Sequence, residues 1–100
     1  MDMTRSEAID RLRAHADAIK AMGATSLYLY GSTVRDEAGS SSDLDIFIDY
    51  DSRSKFNLLD LVDIKLLLES ELGLEVDVTT RKSLHPMLKS DIEKTAVRVF

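Results

Sequence analysis

Three short features of the chain carry residue types able to do chemistry. Gly31-Ser32 follows the apolar run Leu27-Tyr28-Leu29-Tyr30. A glycine and a hydroxyl at a strand-to-helix turn can present backbone N–H groups and an oxygen to an anion such as phosphate. Asp43-Leu44-Asp45 opens the next apolar run. Residues two apart in a strand share a face, so these two carboxylates point the same way. Hard oxygen ligands of this kind suit Mg2+, which keeps several waters and takes substrate phosphates as further ligands. A third carboxylate, Asp77, sits between two valines in a later strand. Phosphate grip and metal grip together point toward transfer of a nucleotide. Arg35, one helical turn past Ser32, could reach a phosphate, and a solvated helix position explains it equally well.

Each feature also has a plainer explanation. Gly31 could simply end a strand and Ser32 cap a helix. The aspartates could be acidic decoration at a strand start, although Asp is disfavoured in strands and two beside Ile46-Phe47-Ile48 call for a reason. A calcium loop does not fit, because the residues after Asp45 are apolar and extended with no loop glycine. His15 and His85 have no partner at ligand spacing and read as surface or helix-end residues. Asp49 and Asp51 read as strand-end and turn residues.

The elements that must position these groups alternate helix and strand. Thr4-Arg5-Ser6-Glu7 has capping-box form, and Ile9, Leu12, Ala16, Ile19 and Met22 recur at helical spacing up to Gly23. Leu27 to Tyr30 predicts a strand, 32–37 a short helix and 38–42 a loop. Leu44 to Asp49 predicts a second strand. A helix over 56–72 follows, with Ser54 as its candidate cap and Gly73 as its stop. Leu74 to Thr79 alternates and predicts a third strand. The last helix is expected over 83–99, with Pro86 in its first turn.

Strand alternation assigns the faces. Leu44, Ile46 and Ile48 oppose Asp43, Asp45, Phe47 and Asp49; Leu74, Val76 and Val78 oppose Glu75, Asp77 and Thr79. Such a sheet packs one face under helices and leaves the other polar and open. The open face would carry the carboxylates, which would repel one another without cations between them. Tyr28 and Tyr30 share that face and are candidates for the floor of a nucleotide pocket. The expected fold class is α/β (α+β): a small mixed sheet of three strands, or slightly more, with helices on one face and the active site on the other.

One hundred residues predict one domain, residues 1–100. A formal charge of −5 makes non-specific nucleic-acid binding a poor expectation, since that binding depends on Lys and Arg neutralising phosphates. Cysteine is absent, so disulfides and thiolate metal sites are excluded. No apolar stretch is long enough to cross a bilayer. A cytoplasmic location is the default expectation. The run from Leu58 to Leu68 holds more apolar residues than one helix face can bury, which points to a protein–protein contact.

The ordered set Gly31-Ser32, Asp43-Leu44-Asp45 and Asp77 resembles the DNA polymerase beta-like nucleotidyltransferase superfamily, and within it the minimal nucleotidyltransferases. The resemblance covers the chain from Leu27 to Phe100. It implies that Gly31, Ser32 and Arg35 bind the phosphates of a nucleoside triphosphate, ATP. It further implies that Asp43, Asp45 and Asp77 hold two Mg2+ ions, with Asp77 helping to deprotonate the attacking hydroxyl. The family commonly shows Ala-Arg-Gly where this chain has Val34-Arg35-Asp36. Many minimal nucleotidyltransferases are antitoxins paired with an all-helical HEPN toxin ribonuclease, and some transfer AMP to a tyrosine of that toxin. The same role is implied here, with a HEPN toxin or a second copy of the chain completing the acceptor site. Two other functions are compatible with the residues: an antitoxin acting by contact alone, and a small-molecule nucleotidyltransferase of the aminoglycoside-modifying kind.

Overall fold

A computed structural model of the chain describes residues 4–31 and 44–100. Ser32, Arg35 and Asp43, the expected helix over 32–37 and the loop over 38–42 lie outside the described residues.

The chain begins with two short helices. Thr4 caps α1 (Arg5–Ala14), its side chain accepting the Glu7 N–H at 3.2 Å. The sequence predicts one helix up to Gly23, but the run breaks at His15, where α2 (Ala16–Ala21) begins. His15 closes the first helix and opens the second, the helix-end position expected of it. Gly23 then turns the chain into β1 (Ala24–Tyr30), which pairs antiparallel with β2 (Leu44–Tyr50).

The connection from β2 back to the sheet is α3 (Leu58–Leu72). Its cap is Asn57, not Ser54. The Asn57 side chain accepts from the Leu59 and Asp60 N–H groups, and the Asp60 carboxylate accepts the Asn57 N–H, closing a capping box. Ser54 instead donates to the Asp51 carbonyl at 2.6 Å and serves the preceding turn. Gly73, in the left-handed region at φ 70, ends the helix as expected. β3 (Val76–Thr80) then lies parallel to β2.

The final segment departs most from expectation. A single helix over 83–99 does not form. A 3-10 turn, Arg81–Ser83, precedes α4 (Pro86–Thr95), capped by His85, and the chain then extends into β4 (Val97–Arg98). Pro86 occupies the first turn, where its missing N–H costs nothing. β4 pairs antiparallel with β1, so among the described residues the sheet has four strands in the order β3-β2-β1-β4. The β-branched Val97 and Val99 favour the extended chain that the sheet edge can pair. The Val99 N–H donates to the Leu27 carbonyl at 2.8 Å and extends the pairing.

One core fills one face of the sheet. Leu27 and Leu29 of β1, Leu44, Ile46 and Ile48 of β2, and Val76 and Val78 of β3 pack with Ala8 and Leu12 of α1, Ile19 of α2, and Ile64, Leu68 and Leu72 of α3. This is the apolar face that alternation assigned. The β3 edge is closed by α3: Glu69 accepts the Val76 N–H at 3.1 Å, and Lys65 donates to the Val76 carbonyl at 2.7 Å and to Glu69 at 3.0 Å. The two side chains occupy backbone groups that an edge strand otherwise offers to other chains.

Candidate active site

The opposite face carries the site. Asp45 and Asp77 are direct partners in the parallel β2–β3 register, and Tyr30 is the partner of Asp45 in the antiparallel β1–β2 register. Direct partners across a sheet point to the same face, so Tyr30, Asp45 and Asp77 form one row across three strands, with about 4.8 Å between neighbouring strands. Electrostatics report the same convergence. The Tyr30 phenol is pushed up to about 12, first by burial and then by the negative charges of Asp45 and Asp77. A phenolate beside two carboxylates would be a third like charge in one row.

Gly31 follows at the end of this row. Its φ of +83 lies in the region that side chains rarely adopt, and a Cβ there would run into the Asp45 carboxylate. Glycine is therefore required at this turn for two reasons: the backbone conformation, and the room that the carboxylate takes up.

Asp45 and Asp77 are thus brought together, and the third expected carboxylate, Asp43, lies outside the described residues with Ser32 and Arg35. Among the described residues no group of three or more His, Asp or Glu side chains is arranged to hold a metal. The donor set nevertheless fits Mg2+. Two hard carboxylates share one face, beside a glycine that carries no side chain of its own.

The next row toward the far end of the sheet is not the open polar surface expected. Tyr28 and Phe47 are partners, and their rings stack at 4.7 Å with 9° between planes. Tyr30 meets Phe47 at 5.7 Å and 46°. Phe47 is fully buried although it faces away from the helix-packed core. Its cover is Arg81, whose guanidinium carbon sits 4.8 Å from the Tyr28 ring centre and 5.0 Å from that of Phe47. The guanidinium is pinned at its edges: Nε and Nη2 donate to the two Asp49 oxygens at 2.8 and 2.9 Å, and Nη1 donates to Glu93 of α4 at 2.6 Å. These carboxylates hold Arg81 more firmly protonated than an ordinary arginine. Tyr28 therefore lies under a cation and does not floor an open pocket, and Asp49 is an ion-pair partner, not merely a strand end.

Sequence reasoning passed over Arg81. The signal was available in the alternation Asp77, Thr79, Arg81, which continues one face past the end of β3. His85 accepts the Met87 N–H through Nδ1 at 3.2 Å and serves as a helix cap. The apolar surplus of α3 is real: Leu58, Leu59, Val62 and Leu66 are exposed. Among the described residues no helix is long and apolar enough to cross a membrane.

A mixed sheet with helices on one face and paired carboxylates beside a glycine turn on the other defines a nucleotidyltransferase fold. The nucleotidyltransferase domain family model matches residues 12–99, and the chain belongs to that family. A protein of Methanocaldococcus jannaschii named as a candidate protein adenylyltransferase is 44% identical over 72 residues, covering 72% of this chain and 75% of its own. The protein adenylyltransferase MntA of Thermococcus cleftensis is 35% identical over 97 residues, covering 96% of this chain and 92% of its own. A solved structure described as a candidate minimal nucleotidyltransferase superposes with a TM-score of 0.71 at 32% identity, over 89% of this chain and 93% of that one. A toxin–antitoxin structure with AMP-PNP superposes with a TM-score of 0.70 at 16% identity, over 88% of this chain and 72% of that one, a likeness of fold.

Proposed function

We propose that residues 1–100 form one minimal nucleotidyltransferase domain. In this reading the protein is cytoplasmic and transfers AMP from ATP to a tyrosine hydroxyl of a partner HEPN toxin, and so acts as an antitoxin. The observation that carries the reading is the register pairing of Asp45 with Asp77 beside Gly31. The names of the adenylyltransferase relatives and the toxin–antitoxin neighbours support transfer of AMP to a protein and a toxin as the partner.

In this reading Asp43, Asp45 and Asp77 hold two Mg2+ ions. Bound there, the metal neutralises phosphate charge and lowers the cost of ionising the acceptor hydroxyl. Gly31 and Ser32 bring backbone N–H groups and a hydroxyl to the triphosphate, and Arg35 adds a cation. Asp77, at the outer end of the row, accepts the acceptor's proton. Tyr30 stays neutral at physiological pH and adds no further charge. The rest of the catalysis is positioning, which transfer between phosphate oxygens mainly requires. The exposed Leu58, Leu59, Val62 and Leu66 of α3 supply the toxin contact.

Asp45→Asn tests the reading. The variant is expected to retain its fold by circular dichroism, to lose AMP transfer to a co-purified toxin in the mass spectrum, and to bind Mg2+–ATP more weakly by calorimetry. Transfer at the wild-type rate refutes it. The α3 surface favours one second reading, an antitoxin that works by contact alone. If Asp45→Asn still neutralises the toxin while leaving it unmodified, that second reading holds.

A further inference from the structure

We propose that the Tyr28–Phe47–Arg81 stack is the acceptor platform of this enzyme and that Arg81 selects an aromatic hydroxyl. The inference rests on the transferase reading above and adds to it the residues that recognise the acceptor.

Tyr30, Asp45 and Asp77 form one row; Tyr28, Phe47 and Thr79 form the next on the same face. Two residues along a strand span about 7 Å. The platform therefore adjoins the carboxylates at one pleat's distance. It lies on the side away from Gly31, so the phosphate turn and the platform flank the carboxylate row from opposite ends.

A guanidinium has a planar edge of donors and two faces. Here the edge is committed to Asp49 and Glu93, and the group sits over the Tyr28 and Phe47 rings. The side chain remains 29% exposed. A cation held in this way offers its uncommitted surface to an aromatic ring, and the attraction is strengthened where water is excluded. Pinning also removes the entropy cost of ordering a long side chain when the ligand arrives. An anionic ligand gains less, because the two carboxylates have already answered the charge.

A phenol ring resting on the platform carries its hydroxyl across most of the pleat toward Asp45 and Asp77. A serine or threonine hydroxyl, one carbon from its backbone, does not cover that distance from the same seat. The phenolic oxygen bonds to the α-phosphorus of ATP, the bond from that phosphorus to the bridging oxygen breaks, and pyrophosphate leaves with the electron pair. The phenol's proton passes to the Asp77 carboxylate.

The full-length protein with Mg2+ and ATP provides the test, with two probes: a short peptide carrying one tyrosine, and the same peptide with serine. AMP addition is read by mass spectrometry, and peptide binding without nucleotide by NMR shifts of the Thr79 amide and the Arg81 side chain. The wild type is expected to bind and modify the tyrosine peptide and to ignore the serine peptide. Arg81→Lys, which keeps the charge but loses the fork, is expected to raise the acceptor KM roughly five- to tenfold with the ATP KM unchanged. Glu93→Gln loosens one pin without removing the guanidinium and is expected to move the acceptor KM the same way by less. Equal use of serine and tyrosine overturns the proposal, as does an Arg81→Lys variant that folds and keeps its acceptor KM, or one that changes only the ATP KM. If the wild type transfers AMP to no acceptor, the transferase reading fails. The nucleotide-free NMR titration still decides the platform: tyrosine-specific shifts at Thr79 and Arg81 support it, and their absence overturns it.

Discussion

Gly31 leaves out the one atom that would displace the Asp45 carboxylate. At φ +83 a side chain is already disfavoured, and the position its Cβ would take is held by an Asp45 oxygen. The glycine turn and the Asp45 carboxylate are thus fitted to one another. Gly31→Ala is expected to cost about 1–2 kcal/mol through the backbone alone. It is also expected to push Asp45 off its row. Urea denaturation measures the first effect. Weaker Mn2+ binding, followed by paramagnetic relaxation, measures the second. A variant with wild-type stability and metal affinity would mean that the turn relaxes freely.

Tyr30 offers a spectroscopic view of the two carboxylates. Its phenol is raised from 10 to about 12 by burial and by Asp45 and Asp77. A raised folded-state pKa contributes stability that is complete below pH 10 and is lost as pH rises from 10 through 12. In metal-free solution, ultraviolet titration should show one tyrosine ionising late. In Asp45→Asn and in Asp77→Asn that tyrosine should ionise earlier, without returning fully to 10, because burial is the larger cause. No change in either variant would place the carboxylates away from the ring.

The start of α3 separates two neighbouring candidates for its cap. Asn57→Ala removes an acceptor for two backbone N–H groups and should destabilise the protein by about 1 kcal/mol. Ser54→Ala touches only an exposed turn and should fall within about 0.5 kcal/mol of wild type. Thermal melts of the two variants give the order directly.

The β3 edge predicts an acid-sensitive contribution. Glu69 is held below its ordinary value of 4.5, first by the Val76 N–H and then by Lys65. A depressed folded-state pKa contributes stability that is complete above 4.5 and is lost as pH falls through the lower folded value. The urea midpoint of Glu69→Gln should therefore lie below that of wild type at neutral pH and converge on it in acid. A constant gap at all pH values would assign the effect to packing.

Much of the site was legible because strand alternation is a local rule. It put Asp45 and Asp77 on one face and Leu44, Ile46, Ile48, Val76 and Val78 on the other, and the register agrees. What alternation cannot supply is the partner of a residue distant in sequence. Arg81 covers Phe47 from 34 positions away, so an expected open surface is in part filled. Val97 and Arg98 extend because β1 offers them an edge, a condition invisible in the residues themselves. The cap of α3 was misplaced by three residues because serine and asparagine are comparable caps, and only the reciprocal bond from Asp60 decides between them.

Parallel pairing of β2 and β3 has a consequence for how this scaffold can change. Both acidic positions are the second residue of their strands, so they lie at the same end of the sheet. The seven positions 51–57 that leave β2 for α3 lie at the other end, remote from the two carboxylates. Provided Phe56 keeps its place on the core and Asn57 its cap, that connection can change in length while the spacing of the two acids stays set by the strand ladder.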